Sequence, residues 1–150
     1  MCNDQRLTHC QELIRKCNIL VLATSGNDGI HTSLMAYASS ADCSEIYMVS
    51  NRKSRKWQNL SQNAQVSLLI DDRDGKLSDR RHEIKALTVK GTYVPVTDKS
   101  EIKTIKSAIA DTAPAIADAF SGPENSIIRI KADSFQLLRG PQDSFYIDLN

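Results

Sequence analysis

At 150 residues the chain can bury about two-thirds of its unfolded surface in one core without disulfide or metal staples, and it reads as a single domain, 1–150. Its 19 Lys+Arg against 18 Asp+Glu leave a net charge of +1, which excludes the broad basic field of a general nucleic-acid or membrane-surface binder and leaves only local anion recognition. Cys2, Cys10, Cys17 and Cys43 show no CxxC or Cys/His ligand spacing. They read as reduced thiols of a cytoplasmic protein with no metal site, and neither a signal-peptide core nor an apolar run of membrane-spanning length is present.

Leu7, Cys10, Leu13, Ile14 and Cys17 share one helical face, which predicts an opening amphipathic helix of about three turns with Cys10 and Cys17 as small core-facing residues. The apolar run 19–24 has the character of a strand buried on both faces. The turn formers of 25–29 followed by strand-like 30–39 predict a β-hairpin. Residues 41–44 turn the chain into a further strand over 46–50.

The stretch 45–60, EIYMVSNRKSRKWQNL, is the most informative of the chain. Its strand breaks at Asn51, and Ser54 has the character of an N-cap for a helix carrying Trp57 and Leu60. Arg52, Lys53, Arg55 and Lys56 therefore crowd a helix start that is already electropositive, at a cost of about 0.3–1 kcal/mol for each unscreened cation. A phosphate dianion on the Ser54 hydroxyl, the first backbone amides and one or two cations would offset that cost; a solvated basic turn is the alternative.

Residues 65–70 form the next expected strand. The charged run 71–83 offers Asp72, Asp74 and Gly75 to a calcium ion, but Ile70 and Arg81 stand where the first and last EF-hand ligands belong, so it reads as a mobile surface loop. A long strand over 84–96 with a bulge at Gly91 follows. Asp98 with Glu101 opens a helix marked by Ile102, Ile105 and Ile109; a short helix over 115–120, a strand over 126–138 and a last strand over 145–149 complete the chain. The sum is a mostly β (α+β) fold of six to seven strands with a few short flanking helices, plausible as a small barrel.

With these elements placed, 22–29 (LAT and its glycine-rich turn), HTSLMAY at 31–37, IYMVSN and KSRKWQNL within 46–60, and NAQVSLLI at 63–70 resemble the FMN-binding split β-barrel family typified by pyridoxamine 5'-phosphate oxidase. ALTVKGTYVPV at 86–96 and IIRIKADSFQLL at 127–138 are similar more loosely. The resemblance implies a split barrel that binds FMN, with Ser54, Arg55 and Lys56 on the phosphate and Val49 and Ser50 lining the site. Thr32, Ser33, Leu34 and Met35 would lie on the strand along the isoalloxazine ring.

The resemblance further implies a homodimer with FMN at the interface and an oxidoreductase acting on a small molecule that the residues do not identify. Leu34 replaces an arginine of pyridoxamine 5'-phosphate oxidase itself, and the only tryptophan is Trp57, so the vitamin B6 site of that enzyme is not matched. No catalytic residue is assigned. Two other readings stay open: an FMN binder without turnover, serving as sensor, electron carrier or store, and a haem- or deazaflavin-binding member of the same fold. HTSLMAY is similar to the haem-degrading branch, although none of His9, His31 and His82 stands out as a ligand.

Overall fold

The structure is a computed structural model that describes residues 2–118 and 122–150. Among the described residues the chain forms helix α1 (Asn3–Lys16), strands β1 (Ile19–Gly26), β2 (Gly29–Ala36), β3 (Ala38–Ser39) and β4 (Glu45–Asn51), helix α2 (Arg55–Gln62), strands β5 (Gln65–Asp71) and β6 (Lys85–Tyr93), helices α3 (Lys99–Thr112) and α4 (Pro114–Ala117), and strands β7 (Asn125–Arg139) and β8 (Asp143–Asp148). One curled antiparallel sheet runs β2-β1-β5-β6-β7-β4-β3, with β8 added on β7. This is the expected mostly β fold with short flanking helices. The strand count reaches eight because the predicted strand 30–39 breaks at Tyr37, whose N–H bonds to the Asn18 carbonyl. Before the break the chain pairs with β1, and after it with β4, at the opposite end of the sheet.

β7 is 15 residues long. Its first half pairs with β4, from Asn51↔Asn125 to Glu45↔Lys131, and its second half with β8, from Ser134↔Asp148 to Arg139↔Asp143. The handover falls at a bulge. Lys90 and Gly91 of β6 face Ser134 and Ala132, which leaves Asp133 as the extra residue on β7. The Asp133 carbonyl accepts from Leu149 N–H, its carboxylate from Thr92 Oγ1 at 2.7 Å, and Ala132 N–H returns to the Ser44 carbonyl. The irregularity thus lies at Gly91 as its sequence signalled, while the inserted residue belongs to the neighbouring strand.

The inner face of the curl holds the main core: Leu20 and Leu22 of β1, Ile46 and Met48 of β4, Leu68 and Ile70 of β5, Leu87 and Val89 of β6, and Ile128, Ile130, Phe135 and Leu137 of β7. Cys10, Leu13 and Ile14 of α1 join it, and burial pushes the Cys10 thiol up to about 12, so it stays a protonated apolar plug. A second cluster forms on the outer face of β3, β4 and β7, where Ile105 and Ile109 of α3 cover Ala38, Tyr47 and Ile127. Arg129 ties that helix down, pairing with Glu101 and donating to the carbonyls of Val94 and Pro95. Of the expected helix 115–120, the turn Pro114–Ala117 is helical and Phe120 lies outside the described residues.

Two expectations are corrected. The run 19–24 is buried on one face only: Leu20, Leu22 and Thr24 are buried while Ile19, Val21 and Ala23 are not, because among the described residues no helix covers the outer face of β1. The run 71–83 is not a free surface loop throughout, since Asp72 is buried. Its carboxylate accepts from Lys85 N–H at 2.8 Å and Lys76 Nζ at 3.0 Å, with Lys16 Nζ at 3.6 Å.

Burial pushes the Asp72 carboxyl up, but the Lys85 N–H and the two lysines outweigh it and hold the group below its ordinary value. A carboxyl depressed in the folded state adds stability that is complete above its unfolded pKa, about 3.9, and is lost as the pH falls through the folded value. Asp72→Asn should lower stability at neutral pH by about 1–3 kcal/mol and flatten the acid limb below about pH 5; a denaturation series with an unchanged acid limb would refute this role. A Cβ on Gly91 would stand 2.5 Å from Ile130 Cγ2 and 2.8 Å from the Lys131 carbonyl oxygen, so Gly91→Ala should cost about 1–3 kcal/mol by overpacking, read from urea unfolding midpoints.

Candidate functional site

The tight turn at Asn51–Ser54 carries the chain from β4 into α2. Asn51 Oδ1 accepts from Lys53 N–H at 2.8 Å, and Ser54 N–H bonds to the Asn51 carbonyl. Ser54 is the N-cap residue, yet its side chain makes no cap hydrogen bond to the helix; its Oγ lies 3.5 Å from Ser50 Oγ instead. The first turn of α2 contains no acidic residue. The helix therefore begins with amides that no side chain caps and with cations beside them, the arrangement in which an anion is most stabilised.

The four cations are not equivalent. Lys53 pairs with Glu124 at 2.8 Å and Arg52 donates to the Pro123 carbonyl at 2.9 Å, so both brace the turn before β7. The Lys53 and Asn51 hydrogen bonds hold the Glu124 carboxyl below its usual range. Arg55 reaches Asp28 of the β1–β2 turn at 3.8 Å, between two exposed side chains, a loose contact worth little in water. Lys56 is partly buried and donates to the neutral Ser50 hydroxyl at 3.2 Å. Among the described residues no carboxylate lies within ion-pair distance of it.

Helix α2 is strapped across the β1–β2 hairpin by its own amides. Buried Asn59 donates to Thr24 Oγ1 at 3.1 Å, Asn63 to Ser25 Oγ at 2.8 Å, and Gln62 Oε1 accepts from Asn27 N–H at 2.8 Å. The close approach needs Gly26, where a Cβ would meet the Asn59 and Gln62 side-chain oxygens at 2.4 Å. On its other side Trp57 donates to the Ser50 carbonyl at 3.1 Å and packs edge-on against Tyr93 with ring centroids 5.7 Å apart. Asn59, with Leu60, stood out in the sequence as the pair that follows the Ser54-Arg55-Lys56 triplet in KSRKWQNL, whereas Gln62, Asn63, Asp28 and Tyr93 did not. Asn59, a polar residue one position before Leu60 on the buried face of an amphipathic helix, was the available signal.

The structure thus brings Ser50, Ser54, Arg55 and Lys56 together between the end of β4 and the tip of the hairpin. Val49 alternates with Ser50 and packs toward the α3 cluster, so its side chain faces away from that group. On β2 the four named residues divide by face. Ser33 and Met35 stand opposite Leu22 and Leu20 and share their inward face, whereas Leu34 stands opposite Val21 and Thr32 opposite Ala23 on the outer face. β2 is the sheet's edge.

A family model described as pyridoxamine 5'-phosphate oxidase matches residues 7–139. No curated protein sequence matches the chain. Among solved structures, the chain is similar to a haem-binding protein from Mycobacterium smegmatis, with a TM-score of 0.78 and 16% identity over 91% of this chain and 57% of that one; the chain therefore spans little more than half the length of that relative. It is also similar to HutZ, described as a haem storage protein, from Vibrio cholerae (TM-score 0.66, 18% identity, 92% of each chain). A third is an FAD-binding protein from Mesorhizobium loti (TM-score 0.66, 17% identity, 87% of this chain and 90% of that one). At such identities these likenesses show a shared fold.

Asn59→Ala would leave the buried Thr24 hydroxyl without its donor and loosen α2 from the hairpin, at about 1–3 kcal/mol. The expected readout is a lower unfolding midpoint together with faster amide exchange at 25–29 than in the parent; exchange unchanged there would show that α2 is held by packing alone.

Proposed function

We propose that this chain, which belongs to the pyridoxamine 5'-phosphate oxidase family, is a binding protein for FMN, with the phosphate resting on Ser54, Arg55 and Lys56. The observation that carries the reading is Lys56. A partly buried ammonium beside an acid-free helix start, answered among the described residues by the Ser50 hydroxyl and no carboxylate, leaves positive charge that a phosphate dianion would balance. Ser54 has its hydroxyl free of the cap bond and available to the same anion. Val49 would contribute backbone only.

In this reading the flavin would extend from α2 along the edge strand β2, past Thr32, Ser33, Leu34 and Met35. A bound flavin supplies redox chemistry of its own; the protein's part is to seat the phosphate, orient the ring and exclude water. Turnover as an FMN-dependent oxidoreductase on a small organic molecule is the extension that the family membership supports. A sensor, carrier or store needs nothing beyond the seat itself. The uncovered outer face of β2, β1 and β5, with exposed Ile19, Ile30, Leu34 and Leu69, supports a homodimer that buries it and brings two cofactor sites to the interface.

A second reading has a specific observation behind it: two of the similar solved structures are described as haem-binding and haem storage proteins. Haem also carries anionic arms, and the α2 start would receive a carboxylate as it would a phosphate. His31 is the histidine that the topology brings beside α2, standing opposite Thr24, the residue that Asn59 grips.

Adding FMN and haemin separately to the purified protein, desalting, and recording absorbance and native mass tests these readings together. Retained flavin bands in a dimer are expected. A Soret band without retained flavin would replace FMN with haem, and retention of neither would sink the cofactor reading. With two charge-assisted hydrogen bonds removed, Arg55→Ala combined with Lys56→Ala should weaken FMN binding by about 3 kcal/mol or more, measured by flavin fluorescence titration; equal affinity would remove the phosphate from α2.

A further inference from the structure

Arg55, Asn59 and Gln62 follow one another at four- and three-residue steps, so they share one face of α2, and that face lies on the β1–β2 hairpin. Each meets a different part of it. Asn59 donates to Thr24 Oγ1 at 3.1 Å, Gln62 Oε1 accepts from Asn27 N–H at 2.8 Å, and Arg55 Nη1 stands 3.8 Å from the Asp28 carboxylate. Lys56, one position on, donates to the Ser50 hydroxyl instead. The two cations of the proposed phosphate seat therefore differ: Lys56 faces a neutral oxygen, and Arg55 faces an anion supplied by the chain itself.

The Asp28 carboxylate is held in place by the hairpin. Gly26 pairs with Gly29, which leaves Asn27 and Asp28 alone to join β1 to β2. Gln62 grips the Asn27 amide, Asn63 donates to Ser25 Oγ at 2.8 Å, and a Cβ on Gly26 would stand 2.4 Å from the side-chain oxygens of Asn59 and Gln62. The hairpin tip and α2 thus keep one spacing, and Asp28 stays within reach of Arg55. The contact itself is separable. It exceeds hydrogen-bond distance, both side chains are exposed, and among the described residues Asp28 has no other ion-pair partner.

We propose that Asp28 is an internal competitor of the anion on α2, a regulatory contact that lowers the affinity of the seat by holding Arg55 against the hairpin. A phosphate arriving on Ser54 and Lys56 gains Arg55 as the guanidinium parts from Asp28, so Arg55 contributes the difference between the two contacts. On release the carboxylate takes the guanidinium back. Asp28 touches no ligand in this scheme; it positions Arg55. It presupposes the phosphate seat proposed above, and not the identity of the molecule that carries the phosphate.

Inorganic phosphate, FMN and riboflavin, which has the same ring without the phosphate, are the probes, read by calorimetry for phosphate and by fluorescence titration for the flavins. Asp28→Asn keeps a turn-forming side chain and should tighten inorganic phosphate and FMN about threefold, the effect of one exposed ion pair, with riboflavin unchanged. Asp28→Glu retains the carboxylate and should retain the parental affinity. In an Arg55→Ala chain, Asp28→Asn should change phosphate affinity by less than about 1.5-fold, since the competitor then has nothing to hold. Thermal melts check that each variant folds.

Equal phosphate affinity in the parent and in Asp28→Asn would overturn the proposal. So would a full gain in the Arg55→Ala chain, which would make Asp28 a charge acting through space, or a riboflavin gain equal to that of FMN. Absence of phosphate binding by both the parent and Asp28→Asn would overturn it together with the seat. A chain that binds phosphate in an Asp28-dependent way and retains no FMN would keep the competitor and remove the flavin reading. FMN held equally by parent and Asp28→Asn would do the reverse.

Discussion

The whole sheet depends on the bulge where β6 meets β7. One extra residue, Asp133, opposite the Lys90–Gly91 step lets a single long strand pair with β4 along its first half and with β8 along its second. Without it β7 would offer one straight edge to one partner. With it, β4 is delivered to the end of the sheet where α2 begins, and β8 is delivered to the other end, where Phe145 meets Arg6 of α1 and Arg139 of β7 across its ring. Gly91 makes the crossing possible because β7 presses on β6 too closely there for a side chain.

The site inherits its position from that arrangement. β4 ends at Asn51, the turn bound to Glu124 aims the chain back, and α2 then lies across the hairpin through Asn59, Gln62 and Asn63. Polar contacts act together with the burial of Leu60 to set the height of α2 over β1. They also leave its first turn facing the gap between Ser50 and Asp28, where Lys56 and Arg55 meet few negative charges. A cluster of four cations at one helix start, with Lys56 answered by a neutral hydroxyl, is what the chain's near-neutral total conceals.

Much of this was legible beforehand because it is periodic or local. The Cys10–Leu13–Ile14 stripe, the N-caps at Ser54 and Asp98, and the alternating strands each report a period of 3.6 or 2, or a preferred cap residue, within a few positions. The family resemblance added the split-barrel architecture. The double burial read into 19–24 failed for a physical reason: an apolar run records that a strand is hydrophobic and not how many layers cover it. The run 71–83 likewise reads as solvated from its charge, whereas Asp72 is buried by partners on α1 and at the start of β6.

By itself the sequence determined the element types, the basic helix start at Ser54–Lys56 and the membership of a split-barrel family, since all three are written in short-range pattern. Only the tertiary structure decided which side chains of that stretch act together. Alternation along β4 turns Ser50 toward Lys56 and Val49 toward α3, and alternation along β2 sends Ser33 and Met35 inward and Thr32 and Leu34 outward. The pairing of Arg73 with Asp71, of Lys76 and Lys16 with Asp72, and of Lys53 with Glu124 was also decided there. Which charges cancel depends on distances between segments far apart in the chain, and no local pattern carries those distances.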